Sequence, residues 1–98
     1  MARFDVYRLN DGSMIVDCQA DFLNDIGTRF VLPLLPRGEG PGPNVRINPE
    51  FNVNGERLVL VAQLAATLRT AELRTRVTSL ADESYRIIGA IDVLIGTA

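Results

Sequence analysis

Histidine, tryptophan and lysine are absent from this 98-residue sequence, and cysteine occurs once, as Cys18. Without histidine there is no His-containing zinc site and no Ser-His-Asp or Cys-His nucleophile. Imidazole acid–base chemistry at neutral pH is excluded too. A lone cysteine cannot staple the chain internally, so a reducing cytoplasm is the expected compartment. No run of 18 apolar residues occurs, and Met1-Ala2-Arg3-Phe4-Asp5 carries charges where a secretory signal needs an apolar stretch. Neither a membrane span nor export is therefore expected. Basic excess is missing as well. Twelve acids against ten bases give a net charge of −2, whereas free-standing nucleic-acid binders carry surplus positive charge. Direct DNA or RNA binding is disfavoured. All ten bases are arginine, which reads as GC-rich coding ahead of anion recognition by guanidinium groups.

What is present is an ordinary globular balance of 47% hydrophobic and 22% charged residues. It fits one folded domain over 1–98 whose modest core would gain from self-association.

Along the chain, Arg3 to Leu9 alternates, with Phe4 and Val6 on one face and Asp5, Tyr7 and Leu9 on the other. Asn10-Asp11-Gly12 supplies a hairpin turn, and Ser13 to Gln19 the returning strand. Ala20 to Gly27 reads as a loop with room for one helical turn. Thr28 to Leu35 is a third strand, in which Pro33 belongs at an edge, a strand end or a bulge because it has no N–H to give. Pro36 to Pro43 is a loop. Its glycines, Gly38, Gly40 and Gly42, form no phosphate cradle, since prolines between them remove donors. Val45 to Val53 is a strand broken at Pro49. Asn54-Gly55 is a type I′ turn signal, and Glu56 to Val61 is the next strand. The pattern over Gln63 to Arg76 favours a helix. Residues 82 to 95 predict a second helix, capped by Ser79 or Asp82 and ended by Gly96. Its Tyr85, Ile88, Asp92 and Ile95 share one stripe, and Ile87, Ile91 and Leu94 an adjacent one. Short strands plus a final helix imply a small barrel or open barrel with a helix packed on it.

The chemical inventory is sparse. Asp17, Asp21 and Asp25 recur every four residues, but strand geometry would spread them, so a solvated face or turn caps are expected rather than a metal site. Cys18 beside Asp17 reads as an inert, packed thiol. Arg69, Arg74 and Arg76 with Glu72 read as a surface ion-pair network. A histidine-free ribonuclease would need an arginine with a carboxylate or tyrosine, and Arg8 with Asp5 or Tyr7 is the imaginable set. The tail from Asp92 to Ala98 reads as core or dimer burial, or as a knob for a partner. Nothing calls for a cofactor or a metal.

Several stretches, in order and spacing, resemble the CcdB family of toxins. Phe4-Asp5-Val6-Tyr7 is similar to its Phe-Lys-Val-Tyr. Val16-Asp17-Cys18-Gln19-Ala20-Asp21 is similar to its Val-Asp-Val-Gln-Ser-Asp, and Arg29-Phe30-Val31-Leu32-Pro33-Leu34 to its Arg-Met-Val-Ile-Pro-Leu. Asn48-Pro49 lies where the family has a Leu-Tyr-Pro segment, and Ala90-Ile91-Asp92 matches its Ala-Ile-Asn. The resemblance implies an SH3-like barrel of antiparallel strands with a C-terminal α-helix, the fold shared with MazF-type toxins. It replaces the helix over 63–76 by irregular chain and a strand. It also implies a cytoplasmic homodimer that binds the A subunit of DNA gyrase and traps its cleavage complex. Such a protein is neutralised by a CcdA-like antitoxin and meets operator DNA only through the antitoxin complex. This makes it a protein inhibitor with no enzymatic activity of its own.

The residues this resemblance assigns to gyrase are Phe22, Leu23, Asp92, Ile95, Gly96, Thr97 and Ala98. The last three replace the family's terminal Trp-Gly-Ile, so its aromatic anchor is gone. Loss of such an anchor costs about 2–4 kcal/mol of binding. Two alternatives follow: a toxin-fold protein that only binds its antitoxin, and an endoribonuclease of the MazF type.

Overall fold

The computed structural model describes residues 1–42 and 44–97. Seven antiparallel strands form one curled sheet, a half-barrel closed on its concave side by a helix. The strands are β1 (Asp5–Arg8), β2 (Met14–Asp17), β3 (Thr28–Pro36), β4 (Glu50–Val53), β5 (Glu56–Leu60), β6 (Ala66–Arg69) and β7 (Thr75–Ser79), and the helix is α1 (Ser84–Ile95). Their order is β4-β5-β3-β2-β1-β7, with β6 paired to the first half of β3. The Asn54 side-chain amide donates to the Val77 carbonyl at 3.3 Å and so ties the β4–β5 hairpin to β7.

The alternation of β1 sorts its residues as expected. Phe4 and Val6 enter the main core with Val16, Leu32, Phe51, Leu60, Leu80, Ile87 and Ala90, while Tyr7 joins Ile15, Val31 and Leu73 in a smaller cluster. In the first turn Gly12, at φ 88°, lets its N–H reach the Leu9 carbonyl at 2.9 Å. At the second, Asn54 and Gly55 both have positive φ, as a type I′ turn requires.

Four expectations need correction. Pro33 is at no edge, end or bulge but inside β3, opposite Ile15. It lies where β3 changes partners, from β6 up to Val31 to β5 from Leu34. Its carbonyl accepts from Val61 N–H at 3.0 Å. A strand residue points N and O to the same side, so the missing N–H faces this gap and breaks no ladder bond. Residues 45–47 form a turn, and β4 begins only at Glu50, after the proline. The helix read from pattern over 63–76 is not there, and the irregular chain and strand that the family resemblance puts in its place are. Short 3-10 turns at Ala62–Leu64 and Thr70–Glu72 flank β6 instead. Pairing with β3 outweighs the local propensity of the alanines and leucines. Finally, α1 begins at Ser84 after a 3-10 turn, Ala81–Glu83, without a side-chain cap. The Ser79 hydroxyl accepts from Ala81 N–H at 3.1 Å and so serves that turn. Gly96 ends the helix at φ 81°, with its N–H on the carbonyls of Asp92 and Val93. No helix is long and apolar enough to cross a membrane among the described residues.

Candidate functional site

The residues expected to meet a partner sit on two elements. Phe22 and Leu23 lie on the 3-10 turn Asp21–Leu23 between β2 and β3, and Asp92, Ile95, Gly96 and Thr97 at the end of α1. Ala98 lies outside the described residues. Among the described residues no hydrogen bond or hydrophobic cluster joins the two groups within one chain.

The loop that carries Phe22 is held from below. Asp17 and Arg29 face each other across β2 and β3 with both side chains 0% exposed. Arg29 Nε donates to Asp17 Oδ2 at 2.9 Å, and Nη2 lies 2.6 Å from the same oxygen. Asp17 Oδ1 accepts from Gln19 N–H at 3.1 Å. Arg29 Nη1 reaches out to Asn24 Oδ1 in the loop. The Gln19 amide donates to the Leu23 carbonyl at 3.0 Å and the Thr28 carbonyl at 2.8 Å, while its oxygen accepts from Phe30 N–H at 3.0 Å. Arg3 N–H adds a bond to Asp21 Oδ1 at 2.8 Å. Every lone pair and proton of this network that finds a partner stiffens the loop ends. At the loop's crest Phe22 is 83% exposed, with exposed Leu23 and Ile26 beside it.

At the other element α1 buries Ile87 and Ala90 and half-buries Ile88 and Ile91. The stripe of Tyr85 and Ile95 points outward, and Ile95 is 64% exposed. Thr97 N–H donates to the Asp92 carbonyl at 2.8 Å, which folds the chain back over the helix end.

The remaining sequence candidates are dispersed. Asp17 is committed to Arg29 and Asp21 to a backbone N–H, so the three spaced acids do not converge. Arg69 pairs loosely with Glu72 at 3.9 Å, Arg74 donates to the Ala71 carbonyl, and Arg76 pairs with Asp5 at 3.2 Å. The arginine beside Asp5 and Tyr7 is therefore Arg76, on β7, rather than Arg8. Burial, then the Asp5 and Asp17 carboxylates, push the Tyr7 phenol above its ordinary pKa against the pull of Arg29 and Arg76. Burial, reinforced by Asp17, pushes the Cys18 thiol up to about 12. Sequence reasoning missed Asn24 and Ile26, an anchor and an apolar neighbour of the loop. Their signal was a polar and an apolar residue in a short loop, which alone assigns no role.

Two apolar surfaces on rigid supports offer burial to a partner, and fully covering a side chain such as Phe22 is worth about 1.5–3 kcal/mol. Against protein-family models, residues 3–96 match the model described as CcdB protein. The chain belongs to the CcdB family. CcdB-family proteins are toxins of toxin–antitoxin pairs, so this chain is a toxin-family protein with an antitoxin as its class of partner. A search of curated proteins returns no match. Among solved structures the chain is similar to an endoribonuclease from mycobacterial species, at TM-score 0.78 and 15% identity. The alignment covers 98% of this chain and 91% of that one. This neighbour corrects the expectation of a protein without enzymatic activity. The CcdB-family fold seen here also serves an endoribonuclease, so enzymatic activity returns to the functions to be tested.

Proposed function

We propose that this CcdB-family chain acts as a cytoplasmic homodimer that binds the A subunit of DNA gyrase and traps its cleavage complex. Phe22, Leu23, Asp92, Ile95, Gly96, Thr97 and Ala98 form the contact surface, a CcdA-like antitoxin neutralises it, and DNA is met only through the antitoxin complex. The observation that carries this reading is the exposure of Phe22 and Ile95 at the two places the family resemblance assigns to gyrase. Two-fold pairing would bring two copies of each patch to one target. With the family's terminal tryptophan replaced, Phe22 is the largest apolar group left to anchor the contact.

A supercoiling and cleavage assay with gyrase from the protein's own host tests the reading. Linear DNA should accumulate with the wild-type chain. Phe22→Ala and Ile95→Ala should each raise the concentration needed at least tenfold, while leaving stability within about 0.5 kcal/mol, because both side chains are exposed. No linear DNA at any concentration would sink the proposal.

A second reading, a MazF-like endoribonuclease, is favoured by the structural neighbour. The pair Arg76–Asp5 offers an exposed guanidinium beside a carboxylate on β7 and β1. Cleavage of RNA at a defined sequence, lost in Arg76→Ala, would decide for it. If neither DNA nor RNA is cut but the antitoxin still binds, the chain is an antitoxin-binding partner only.

A further inference from the structure

Two backbone irregularities flank one ion pair where β1 meets β7. Phe4, just before β1, sits at φ 72°, a region that bulky side chains rarely enter. Its surroundings over-determine it. The Phe4 N–H donates to the Asp17 carbonyl at 2.6 Å, its carbonyl accepts from Leu80 N–H at 2.9 Å, and its ring is buried in the main core. The second irregularity is a bulge. Val6 pairs with Thr78 but Tyr7 pairs with Arg76, which leaves Val77 as the extra residue. Without the bulge Val77 would stand opposite Tyr7. With it, Val77 packs against the core and Arg76 reaches Asp5 on the face of Tyr7. Strained residues and bulges of this kind persist where they aim a side chain at a task.

The task follows from Asp5, which is buried. One of its oxygens, Oδ2, holds two donors, Arg76 Nε at 3.2 Å and Ala2 N–H at 3.1 Å. Asp5 N–H in turn donates to the Ala2 carbonyl at 3.1 Å, so residues 2–5 form a turn closed by backbone and carboxylate together. That turn, with its left-handed Phe4, delivers Arg3 to the head of the 20–27 loop. Arg3 N–H donates to Asp21 Oδ1 at 2.8 Å, Arg3 Nε donates to the Cys18 carbonyl at 3.0 Å, and the guanidinium lies 4.7 Å from the centre of the Phe4 ring. Asp21 immediately precedes Phe22. A chain of bonds thus runs from Arg76 to the residue beside Phe22, and its side-chain bonds are separate from those of Asp17 and Arg29.

We propose that Asp5 and Arg76 are positioning residues for Phe22. The pair closes the 2–5 turn, and the turn clasps the loop that presents Phe22 through Arg3 and Asp21. The effect on activity rests on the reading of Phe22 as a gyrase contact, whereas the clasp belongs to the free chain. A buried carboxylate oxygen that already holds two donors is poorly placed to take a proton from a substrate, which favours positioning over chemistry for this pair.

The test is amide hydrogen exchange on the full chain, followed by NMR. Leu23 and Asn24 N–H, bonded to the Ala20 and Asp21 carbonyls, report on the loop, and Val61 N–H, bonded to the Pro33 carbonyl, reports on the sheet. Arg76→Gln and Asp21→Ala, both at exposed residues, should each speed the two loop amides about fivefold and leave Val61 unchanged, because the opening is local. Asp21→Asn keeps the Oδ1 acceptor and should exchange like the wild type. In the gyrase cleavage assay Arg76→Gln should raise the concentration needed about threefold in the wild-type background and add nothing to Phe22→Ala, since a positioning residue acts through the side chain it positions. Loop exchange unmoved by Arg76→Gln, or an equal rise at Val61, would overturn the clasp. So would loss of RNA cleavage in Arg76→Gln with loop exchange unchanged, which would place Arg76 in catalysis. Faster loop exchange in a chain whose wild type does not trap gyrase would uphold the clasp and overturn the gyrase reading alone.

Discussion

Replacing Arg29 by methionine removes one member of an ion pair whose two side chains are 0% exposed. Methionine fills much of the same volume, so the loss is electrostatic rather than a cavity. Asp17 would keep its contact with Gln19 N–H and lose both guanidinium contacts, leaving a carboxylate in the core without a counter-charge. Breaking such a pair from one side costs about 3–5 kcal/mol. A domain of this size is held by about 5–15 kcal/mol, so the variant should sit close to its unfolding threshold. Urea denaturation is the assay. With a slope of about 1.5 kcal/mol/M the midpoint should fall by roughly 2–3 M. The double variant Asp17→Leu/Arg29→Met removes both charges and should recover most of that loss, because an apolar pair of similar size is often neutral or better. A single variant that costs under about 1 kcal/mol, or a double variant less stable than the single, would refute the account. Either result would mean that water or another group already compensates Asp17.

Two further effects follow from particular atoms. Cys18 is held as a thiol in the folded chain, with its pKa raised by burial first and by Asp17 second to about 12. The unfolded chain ionises nearer the thiol's ordinary value of 9.0, so folding stability is fully present below about pH 9 and falls as pH rises toward about 12, by up to roughly 4 kcal/mol. Urea midpoints taken across that range should show the decline, and Cys18→Val should make it shallower, leaving the smaller share that the raised Tyr7 phenol contributes. An equal slope in both proteins would contradict the assignment. Gly96→Trp, the substitution that would restore the family's aromatic, places a side chain at φ 81° and should lower stability by about 1–2 kcal/mol in a thermal melt. An unchanged Tm would show that the helix end re-forms without its left-handed cap.

The strands were legible wherever one face is buried and the turn chemistry agrees. Phe4 and Val6 against Tyr7 gave the period of two, and Asp11-Gly12 and Asn54-Gly55 gave the turns. Legibility failed over 63–76 for a non-local reason. Ala66 to Arg69 becomes a strand only because Thr28 to Val31 is there to pair with it, at a sequence distance that no local window contains. Pro33 misled in the same way. Its missing donor points to an edge, a strand end or a bulge, but an interior position is harmless where one partner strand ends and the next begins.

The candidate site was legible as composition and not as architecture. Phe22, Leu23 and Ile95 are apolar in the sequence, and only the fold shows that the polar residues among them support their exposure. Asp17, Gln19, Asn24 and Arg29 look like surface residues in the chain, yet three of the four are buried, and together they hold both ends of the 20–27 loop. An exposed Phe22 contributes little to folding, so the loop has no apolar reason to keep its shape. The buried ion pair and its amide contacts supply that reason. A well-packed apolar pair would serve stability as well or better, but it would offer no donor to Asn24 and none of the bonds that reach into the loop. The ionic network is therefore best understood as a positioning device. It holds both ends of the loop that carries the exposed Phe22, and under the proposed function a fixed presentation of that side chain is what the buried charge serves.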